Sequence, residues 1–402
     1  MELTGWRATE TYCKNNRVVV KYEFCSAARF ECEQCKCPMQ RRGSRMLTIR
    51  DTPYNEIDVV LEIDCPVVWC PQCRKYHRVR PLAVHPKRAM TWRFMKLLCI
   101  LMTECSARML AQQYRISERS VLRAEKEVLA LIDKGKPVSM AGRRAIIIDE
   151  KYLGRKRKFV TCVVDGYTGE LLWMAEGKGS ASLDGFFAML TEDELEDIKV
   201  VSVDRGNAYV KAVREHLPHA ELSFDPFHVI KNINDAVTEV RRDQYAKAEK
   251  EHKGIIKGMR YALLKAPGNL SDRQRPRLET LLAMNAPINT AYVLKEQARE
   301  MYKLYYLSDA VPALQEWLEL ARQSGLKPFQ RLAKGMARDA GYILNYFRYK
   351  LTSGRIEGVN SMIARVLHKT RGVGSVDYLR LKLRALTSPV FRFLMGRETR
   401  LA

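Results

Sequence analysis

Residues 145–149 read AIIID, four apolar residues followed by an acid, and this stretch decides the fold class. An apolar run of this length is typical of a strand buried on both faces. Similar runs follow at FVTCVVD (159–165), ELLWMAEG (170–177), KVVSVD (199–204) and ELSFD (221–225). Amphipathic helical patterns lie at 182–191 and 207–217, between the later runs. The order, a three-strand meander and then helix, strand, helix and strand, predicts a mixed sheet covered by helices.

The composition changes along the chain, and we predict five segments in a multidomain α/β protein. They are an N-terminal domain (1–84), a helix-turn-helix domain (85–136), the first part of the sheet core (140–228), a helical segment (229–350), and final helices with a basic tail (351–402). The first segment holds eight of the eleven cysteines, and the second ends at a linker that contains Gly and Pro. The fourth is helical and heavily charged almost throughout.

The charge balance is strongly basic. The chain has 69 Lys and Arg against 46 Asp and Glu, a formal net charge of +23 that is spread over all regions. Such an excess suits a polyanion, most simply nucleic acid. The most apolar run, LLCILMT (97–103), is far shorter than the ~20 residues of a membrane span, and no secretory signal is visible. We therefore expect a cytoplasmic protein with reduced thiols and no membrane partner.

Two Cys-x-x-Cys pairs, Cys32 with Cys35 and Cys70 with Cys73, are separated by 34 residues. Each pair can point two thiolates at one ion, and two such turns complete a tetrahedral Zn²⁺ site. Strand-like sequence lies between the pairs, as expected for a zinc ribbon whose small fold depends on its metal. Three other side chains could replace a member of a pair: Cys37, Cys65 and His77. Buried free cysteines are the alternative to a structural zinc site.

The stretch SARMLAQQYRISERSVLRAEKEVLALI (106–132) predicts a helix-turn-helix. Leu110 and Ala111 would pack inward from the first helix, and Ser117 can cap the second. Three cations on the second helix, spaced four and three residues apart, would share the face opposite its apolar stripe, where a helix that lies in a DNA groove needs them. These predicted DNA-binding residues are Arg119, Arg123 and Lys126.

Two carboxylates, Asp149 and Asp204, end predicted buried strands. Carboxylates that lie close together repel each other and have raised pKa values unless a cation neutralises them. Mg²⁺ does so, since it takes oxygen ligands and keeps water and substrate phosphate as others. A third carboxylate would complete a two-metal site for attack on a phosphodiester, with the ions about 4 Å apart.

Our hypothesis for the third carboxylate is Glu357, in the basic stretch GRIEGVNSMIARVLHKTRGVG (354–374). From Arg355 to residue 402 there are ten Lys or Arg and three acids. Among these cations, Arg355, Arg365 and Lys369 would hold DNA phosphates beside the glutamate.

Other acids have competing interpretations. Asp225 also ends a strand and is followed by His228. It could replace Asp204 as a ligand, cap the next helix, or orient the site together with His228, and we favour this supporting role. Glu150 should point to the face of the strand opposite Asp149. Asp165 lies in DGYTGE (165–170), a hairpin turn, so both are expected to be structural.

With these residues the chain resembles the DDE transposases of bacterial insertion sequences, and specifically the zinc-ribbon-bearing ISL-three (ISL3) family. The resemblance covers almost the whole length. It rests on the cysteine pairs, the helix-turn-helix pattern and four short motifs: IDEKYL (148–153), SVDRGNAY (202–209), DPFHVIK (225–231) and GRIEGVN (354–360).

The resemblance implies an RNase H-like core in which Asp149, Asp204 and Glu357 are a catalytic triad that binds Mg²⁺ (or Mn²⁺). It implies that residues 229–350 are a helical insertion before the last catalytic helix. The implied chemistry is cleavage of DNA at the ends of the element by metal-activated water, followed by attack of the freed 3′-hydroxyl on target DNA. The implied partners are double-stranded terminal repeats and target DNA, bound by a homodimer or higher oligomer associated with the bacterial nucleoid.

Two alternatives share DNA binding but differ in the chemistry. A structure-specific nuclease or resolvase of the same fold would stop at hydrolysis. A non-catalytic repressor or domesticated transposase would bind DNA without cleavage, although a binder has no need of three carboxylates.

Overall fold

The computed structural model describes residues 3–26, 29–133, 138–154, 158–204, 207–370 and 375–388. The predicted linker at 134–137 and the basic tail from 389 onward lie outside these residues. The strands are β1 (Trp6–Lys14), β2 (Arg17–Phe24), β3 (Phe30–Glu31), β4 (Pro38–Tyr54), β5 (Ile57–Cys70), β6 (Lys75–Arg78), β7 (Ala145–Gly154), β8 (Lys158–Asp165), β9 (Leu171–Glu176), β10 (Val200–Val203) and β11 (Glu221–Phe224). The α-helices are α1 (Trp92–Leu101), α2 (Ala107–Gln113), α3 (Glu118–Asp133), α4 (Asp184–Ala188), α5 (Glu192–Asp197), α6 (Asn207–His216), α7 (Pro226–Lys247), α8 (Lys250–Gly258), α9 (Gln274–Met284), α10 (Ala286–Met301), α11 (Leu307–Gln323), α12 (Lys327–Arg338), α13 (Ala340–Tyr349), α14 (Gly354–Thr370) and α15 (Val376–Thr387).

The chain forms two compact units. Among the described residues, the first contains those up to 133 and those from 365 onward, and the second contains 138–364. This division differs from the expected one, because residues 365–388 group with the N-terminal segments and not with the sheet core. The reason is that Leu381 and Ala385 of α15 are buried in the same apolar cluster as α1, α2 and α3.

The first unit begins with a six-stranded sheet in the order β1-β2-β5-β4-β3, with β6 paired to β5. Two tight hairpin turns shape it, at Asn15-Asn16 and at Asn55-Glu56, and all four residues have positive φ. Turns with two positive φ values match the right-handed twist of the strands that they join. The long hairpin of β4 and β5 carries the second cysteine pair at its end, and helices α1, α2 and α3 follow the sheet in sequence.

The second unit contains the predicted meander and the two strands that follow it. The sheet order is β11-β10-β7-β8-β9. Strands β7, β10 and β11 are mutually parallel, whereas β8 and β9 are antiparallel to their neighbours. Ile146 and Ile148 of β7 are buried, as the apolar run predicts. Parallel strands need crossover connections, and helices α4, α5 and α6 supply them.

Helices α7–α13 fill residues 226–349 of the second unit. Their apolar residues, among them Trp317, Phe329 and Phe347, belong to the same buried cluster as the sheet. Asn345 of α13 donates a hydrogen bond of 2.8 Å to the carbonyl of Leu222 in β11. The helical segment and the sheet therefore share one core, and helix α14 begins directly after it.

Candidate active site and metal centre

Three aspartates lie in one row across the parallel strands of the second unit. Val203 of β10 pairs with Ile148 of β7 and with Phe224 of β11. The next residue on each strand is an aspartate, so Asp149, Asp204 and Asp225 occupy equivalent positions. Residues in register on adjacent parallel strands point to the same face and are about 4.8 Å apart in the hydrogen-bonding direction. Sequence reasoning identified all three, and the parallel register aligns them.

His228 lies between two of these aspartates. Its Nδ1 is 3.3 Å from Oδ1 of Asp204, and its Nε2 is 3.9 Å from Oδ2 of Asp225. Asp225 precedes α7 but makes no capping hydrogen bond to it. Its Oδ1 accepts a hydrogen bond of 3.0 Å from the N–H of Ser353. The carboxylate of Asp225 therefore contacts both His228 and the backbone that precedes α14.

The first turns of α14 lie against this row. The hydroxyl of Ser353 donates to Oε1 of Glu357 at 2.8 Å, while the Ser353 backbone holds Asp225. Asn360, three residues after Glu357, donates from Nδ2 to Oδ2 of Asp149 at 2.9 Å. Positions three or four apart share a helix face, so Ser353, Glu357 and Asn360 face the aspartates together. Glu357 is exposed at this position.

Burial dominates the electrostatics of two of the aspartates. It raises the pKa of Asp149, against the lowering effect of hydrogen bonds from the Glu150 N–H and from Asn360, and the charge of Asp204 raises this pKa further. Burial likewise raises the pKa of Asp225, while the Ser353 N–H and His228 oppose that shift. A desolvated carboxylate gains from a nearby cation, because the cation favours its charged form.

The donor set of this region fits a hard cation such as Mg²⁺. All the donors are carboxylate oxygens, and Oδ2 of Asp225 is buried without a hydrogen-bond partner among the described residues. Asp149, Asp204 and Glu357 do not all place ligand atoms within 4.8 Å of one another. Two oxygens on one ion lie at most about 4.2 Å apart, so the three are more widely spread than ligands of a single ion.

The acids expected to be structural have structural contacts. Glu150 accepts a hydrogen bond of 3.2 Å from the hydroxyl of Tyr209. Asp165 is buried and accepts hydrogen bonds from the N–H groups of Tyr167 and Thr168, and it pairs with Arg143 at 2.9 Å. Asp165 thus stabilises the β8–β9 turn.

The two cysteine pairs form a metal-site geometry in the first unit. The sulfurs of Cys32, Cys35, Cys70 and Cys73 all lie within 4.8 Å of one another, and among the residues described here no other set of three or more His, Cys, Asp or Glu does so. The N–H of Cys73 donates to Sγ of Cys70 at 3.3 Å. Hydrogen bonds from this N–H and from neighbouring thiols outweigh burial and lower the pKa of Cys70 to about 6. A thiol deprotonated near neutral pH is ready to bind Zn²⁺.

None of the three alternative zinc ligands predicted from the sequence belongs to the set of four sulfurs. Cys37 Sγ lies 3.3 Å from the sulfurs of both Cys35 and Cys70, yet Cys37 is outside the set of four. Cys65 is buried in β5, where burial raises its thiol pKa to about 11, and His77 on β6 is also outside the set. Four cysteines therefore suffice for a tetrahedral site.

The predicted helix-turn-helix consists of α2 and α3, with α1 packed on α3. Leu110 and Ala111 are buried, and Ser117 Oγ accepts a hydrogen bond of 3.1 Å from the N–H of Ser120. The predicted DNA-binding side chains Arg119, Arg123 and Lys126 are all exposed.

The cations of α14 have different environments. Arg355 is exposed, and its aliphatic part lies over Gly169, while Arg365 is exposed. Lys369 Nζ donates to the carbonyls of Thr103 and Glu104, at 2.9 and 3.0 Å, just beyond the end of α1. Lys369 is thus already engaged within the first unit, and we do not retain it among the proposed DNA contacts.

Sequence reasoning missed Ser353 and Asn360. Asn360 stands in the motif GRIEGVN, three residues after the glutamate, and this helical spacing was the available signal. Ser353 precedes the helix, and its contact with Asp225 spans 128 positions.

Comparison with known proteins identifies the family. The family model of ISL3-type DDE transposases, described as "Transposase", matches residues 146–383. The chain belongs to the ISL3 family of insertion-sequence transposases. This match contains the aspartate row and α14 together.

Individual relatives agree with this family assignment. The transposase for insertion sequence element IS1001 of Bordetella parapertussis is 28% identical over 359 residues, which cover 88% of each chain. The transposase for insertion sequence element IS1557 of Mycobacterium tuberculosis is 28% identical over 372 residues, 86% of this chain and 83% of the relative. DNA transposition is therefore the function that the site must serve.

None of the helices in the described part of the ISL3-family chain combines the length and the apolar character of a membrane-crossing segment.

Proposed function

We propose that Asp149, Asp204 and Glu357 are the metal-binding catalytic carboxylates of a DDE transposase, held on an RNase H-like sheet. The observation that carries this proposal is the aspartate row facing Glu357 of α14. The sheet order, three antiparallel strands followed by two strands parallel to the first, supports the RNase H-like assignment. The raised pKa of Asp149 supports a cation at this position.

Each neighbouring side chain has a role in this proposal. Asn360 fixes the rotamer of Asp149, and Ser353 joins Asp225 to Glu357. His228 keeps Asp204 in place through its contact at 3.3 Å. Bound Mg²⁺ or Mn²⁺ would activate water and stabilise charge on the scissile phosphate. The reaction hydrolyses a phosphodiester at each end of the element, and the freed 3′-hydroxyl then displaces a phosphodiester in the target DNA, with no covalent protein–DNA intermediate.

Positioning of DNA falls to other parts of the chain. The exposed cations Arg119, Arg123 and Lys126 on α3 would contact the terminal repeats, with a zinc ribbon beside them in sequence. Arg355 and Arg365 of α14 would neutralise phosphates close to the reacting one. Two ends must be joined, so the working form is proposed to be a homodimer or a higher oligomer on DNA.

The test uses Asp149→Asn, Asp204→Asn and Glu357→Gln in the full chain, with an element-end duplex and Mg²⁺. Each variant should lose cleavage by more than about 100-fold, since removing a supporting residue alone costs 10–100-fold. Binding measured without added Mg²⁺ and without a chelator should be unchanged. Glu150→Gln is the matched control, because it neutralises the neighbouring exposed acid and should remain active.

The products of this test separate the proposed function from its alternatives. Strand transfer by the wild-type chain identifies a transposase, whereas cleavage without transfer identifies a nuclease or resolvase. Binding with no cleavage at all would identify a non-catalytic protein. Full activity in any of the three carboxylate variants would remove that residue from the catalytic assignment.

A further inference from the structure

An open cleft of about 700 Å³ lies in the helical segment of the second unit, outside the proposed catalytic centre. It is formed by the end of α7, the second half of α8 and the turn that follows α8. Four cations line it: Arg241, Arg242, Lys257 and Arg260. The described residues that line it include no carboxylate. We call this feature the basic cleft.

Arg241 is the unusual member of the basic cleft. Only 9% of the residue is exposed, and its buried Nε has no hydrogen-bond partner among the described residues. Burial, and then the charges of Arg260 and Arg242, lower the pKa of its guanidinium. A guanidinium whose Nε is withdrawn from water normally faces an acid, because an uncompensated charge is costly away from water. An anionic ligand would supply the missing partner.

Two glycines leave one side of the basic cleft open. Gly254 and Gly258 are one helical turn apart on α8, and both line the cleft. A Cβ built at Gly254 would meet no atom within 4 Å. Glycine inside a helix weakens that helix, so its presence here suits a surface that a ligand approaches closely.

An exposed aromatic ring adjoins the cations. Tyr261 is 68% exposed, and the guanidinium of Arg260 lies 5.3 Å from the centre of its ring. Tyr245 lines the same cleft, with Lys253 Nζ 5.8 Å from its ring centre. Cations beside exposed aromatic rings bind single-stranded nucleic acid, since the cations neutralise phosphates and the rings stack on bases.

We infer that the basic cleft binds an unpaired stretch of DNA, with phosphodiester groups beside Arg241 and a base stacked on Tyr261. The identity of the polymer rests on the proposed function, while the site itself rests on the cleft. Free phosphate shares the charge but offers no base. A blunt duplex shares the phosphates but covers its base faces.

The experiment measures binding of the full chain, with neither added Mg²⁺ nor a chelator, to a single-stranded oligonucleotide and to a blunt duplex, with inorganic phosphate as competitor. Arg242→Gln/Lys257→Gln/Arg260→Gln should weaken single-strand binding about tenfold or more. The plot of log K against log salt concentration should also become shallower, by about 0.7 in slope for each phosphate that the variant no longer neutralises. Tyr261→Ala should weaken single-strand binding about tenfold and leave duplex binding unchanged.

Two further variants control for charge and folding. Arg322→Gln/Lys327→Gln/Lys334→Gln removes the same charge from exposed positions of α11 and α12 and should bind like wild type. Gly254→Leu keeps every cation, improves helix propensity and fills the cleft, so it should weaken single-strand binding without loss of thermal stability.

Each contrary result has a defined meaning. Cleft variants that bind single strands as well as the control triple variant would overturn the inference. Efficient competition by inorganic phosphate, with no effect of Tyr261→Ala, would assign the cleft to a free anion and overturn it as well. A wild-type chain that binds no DNA would contradict the proposed function, whereas cleavage with unaffected cleft variants would contradict only this site.

Discussion

Asn360 donates a hydrogen bond of 2.9 Å to Asp149 across 211 positions of sequence. Through this bond, the helix that carries Glu357 contacts the central strand of the sheet. The bond uses Oδ2 of Asp149, while the Glu150 N–H holds Oδ1 at 2.7 Å. Hydrogen bonds therefore orient both oxygens of the Asp149 carboxylate.

Asn360→Ala should reduce DNA cleavage by about 10–100-fold, the usual cost of losing a residue that orients a metal ligand. The Mg²⁺ concentration needed for half-maximal rate should rise, because Asp149 loses its fixed orientation. DNA binding measured without added Mg²⁺ and without a chelator should stay unchanged. Ser361→Ala, at the next and exposed position, is the control, and an equal Mg²⁺ requirement in the two variants would contradict the role of Asn360.

Stabilisation by Mg²⁺ should depend on pH. Burial raises the folded-state pKa of Asp149 and Asp225 above the ordinary value of 3.8. Without metal, the stability that these two protonated carboxyl groups contribute is complete below the ordinary pKa of 3.8. It is lost as pH rises through the raised pKa of the folded state. A cation reverses this penalty, so the Mg²⁺-induced rise in Tm should be larger at about pH 8 than at about pH 5.

Thermal unfolding with and without Mg²⁺ checks this dependence. For a unit of this size, each kcal/mol of added unfolding free energy raises Tm by about 2–4 °C. Asp149→Asn should abolish most of the shift at the higher pH. The same pair of unfolding measurements on His228→Gln separates the effect of the carboxyl groups on the pH dependence from that of the neighbouring imidazole. A shift that is equal at both pH values would show that ion binding is not linked to the raised pKa values of Asp149 and Asp225.

Cys37→Ser should keep its zinc, whereas Cys35→Ser should lose it. Cys37 touches Cys35 and Cys70 at 3.3 Å but does not belong to the set of four sulfurs within 4.8 Å. Zinc content of the purified variants, measured by release to a chromogenic chelator, distinguishes the two residues. Loss of zinc from Cys37→Ser would instead place Cys37 among the ligands. Chelation of the wild type should also lower the stability of the N-terminal sheet.

Lys382→Met should destabilise the first unit by about 3–5 kcal/mol. Glu125 of α3 is 1% exposed, and its Oε1 lies 2.9 Å from Nζ of Lys382 in α15, while Tyr378 donates to its other oxygen. Burial raises the pKa of Glu125, and the Lys382 ammonium opposes this. Without Lys382 the carboxylate is buried and unpaired, so the loss of stability should shrink at acidic pH, where it is protonated.

Denaturant unfolding measures this change in free energy. The double variant Glu125→Gln/Lys382→Met removes both charges and keeps an acceptor for Tyr378, so it should recover most of the stability. A single variant as stable as wild type would show that the pair has no energetic role in the folded unit.

The sequence was sufficient for features that depend on local pattern. The apolar runs before Asp149 and Asp204 predicted buried strands, and parallel pairing then aligned their ends. The spacing of the cysteine pairs predicted a compact sulfur cluster. In each case a short repeat or run specifies which side chains face inward, independently of distant partners.

Features that depend on partner choice could not be predicted. The sequence predicted final helices within 351–402, but a helical pattern does not say which surface covers a helix, and Leu381 of α15 packs with α1–α3. In the sequence, Lys369 and Arg365 were equally good candidates for DNA contacts. In the structure, Lys369 differs because it donates hydrogen bonds to the carbonyls of Thr103 and Glu104. The helical spacing places Asn360 on the same face as Glu357, but its hydrogen bond to Asp149 depends on tertiary packing that this spacing does not specify.

The ribosome synthesises the residues of the proposed centre in a fixed order. The strand ends that present the three aspartates are complete once residue 225 has been translated, whereas Glu357 follows 132 positions later. At about 5–20 residues per second, a ribosome needs roughly 10 s to add that stretch. During this interval the nascent polypeptide has all three aspartates but not Glu357, so the proposed centre cannot be complete until residue 357 has been added.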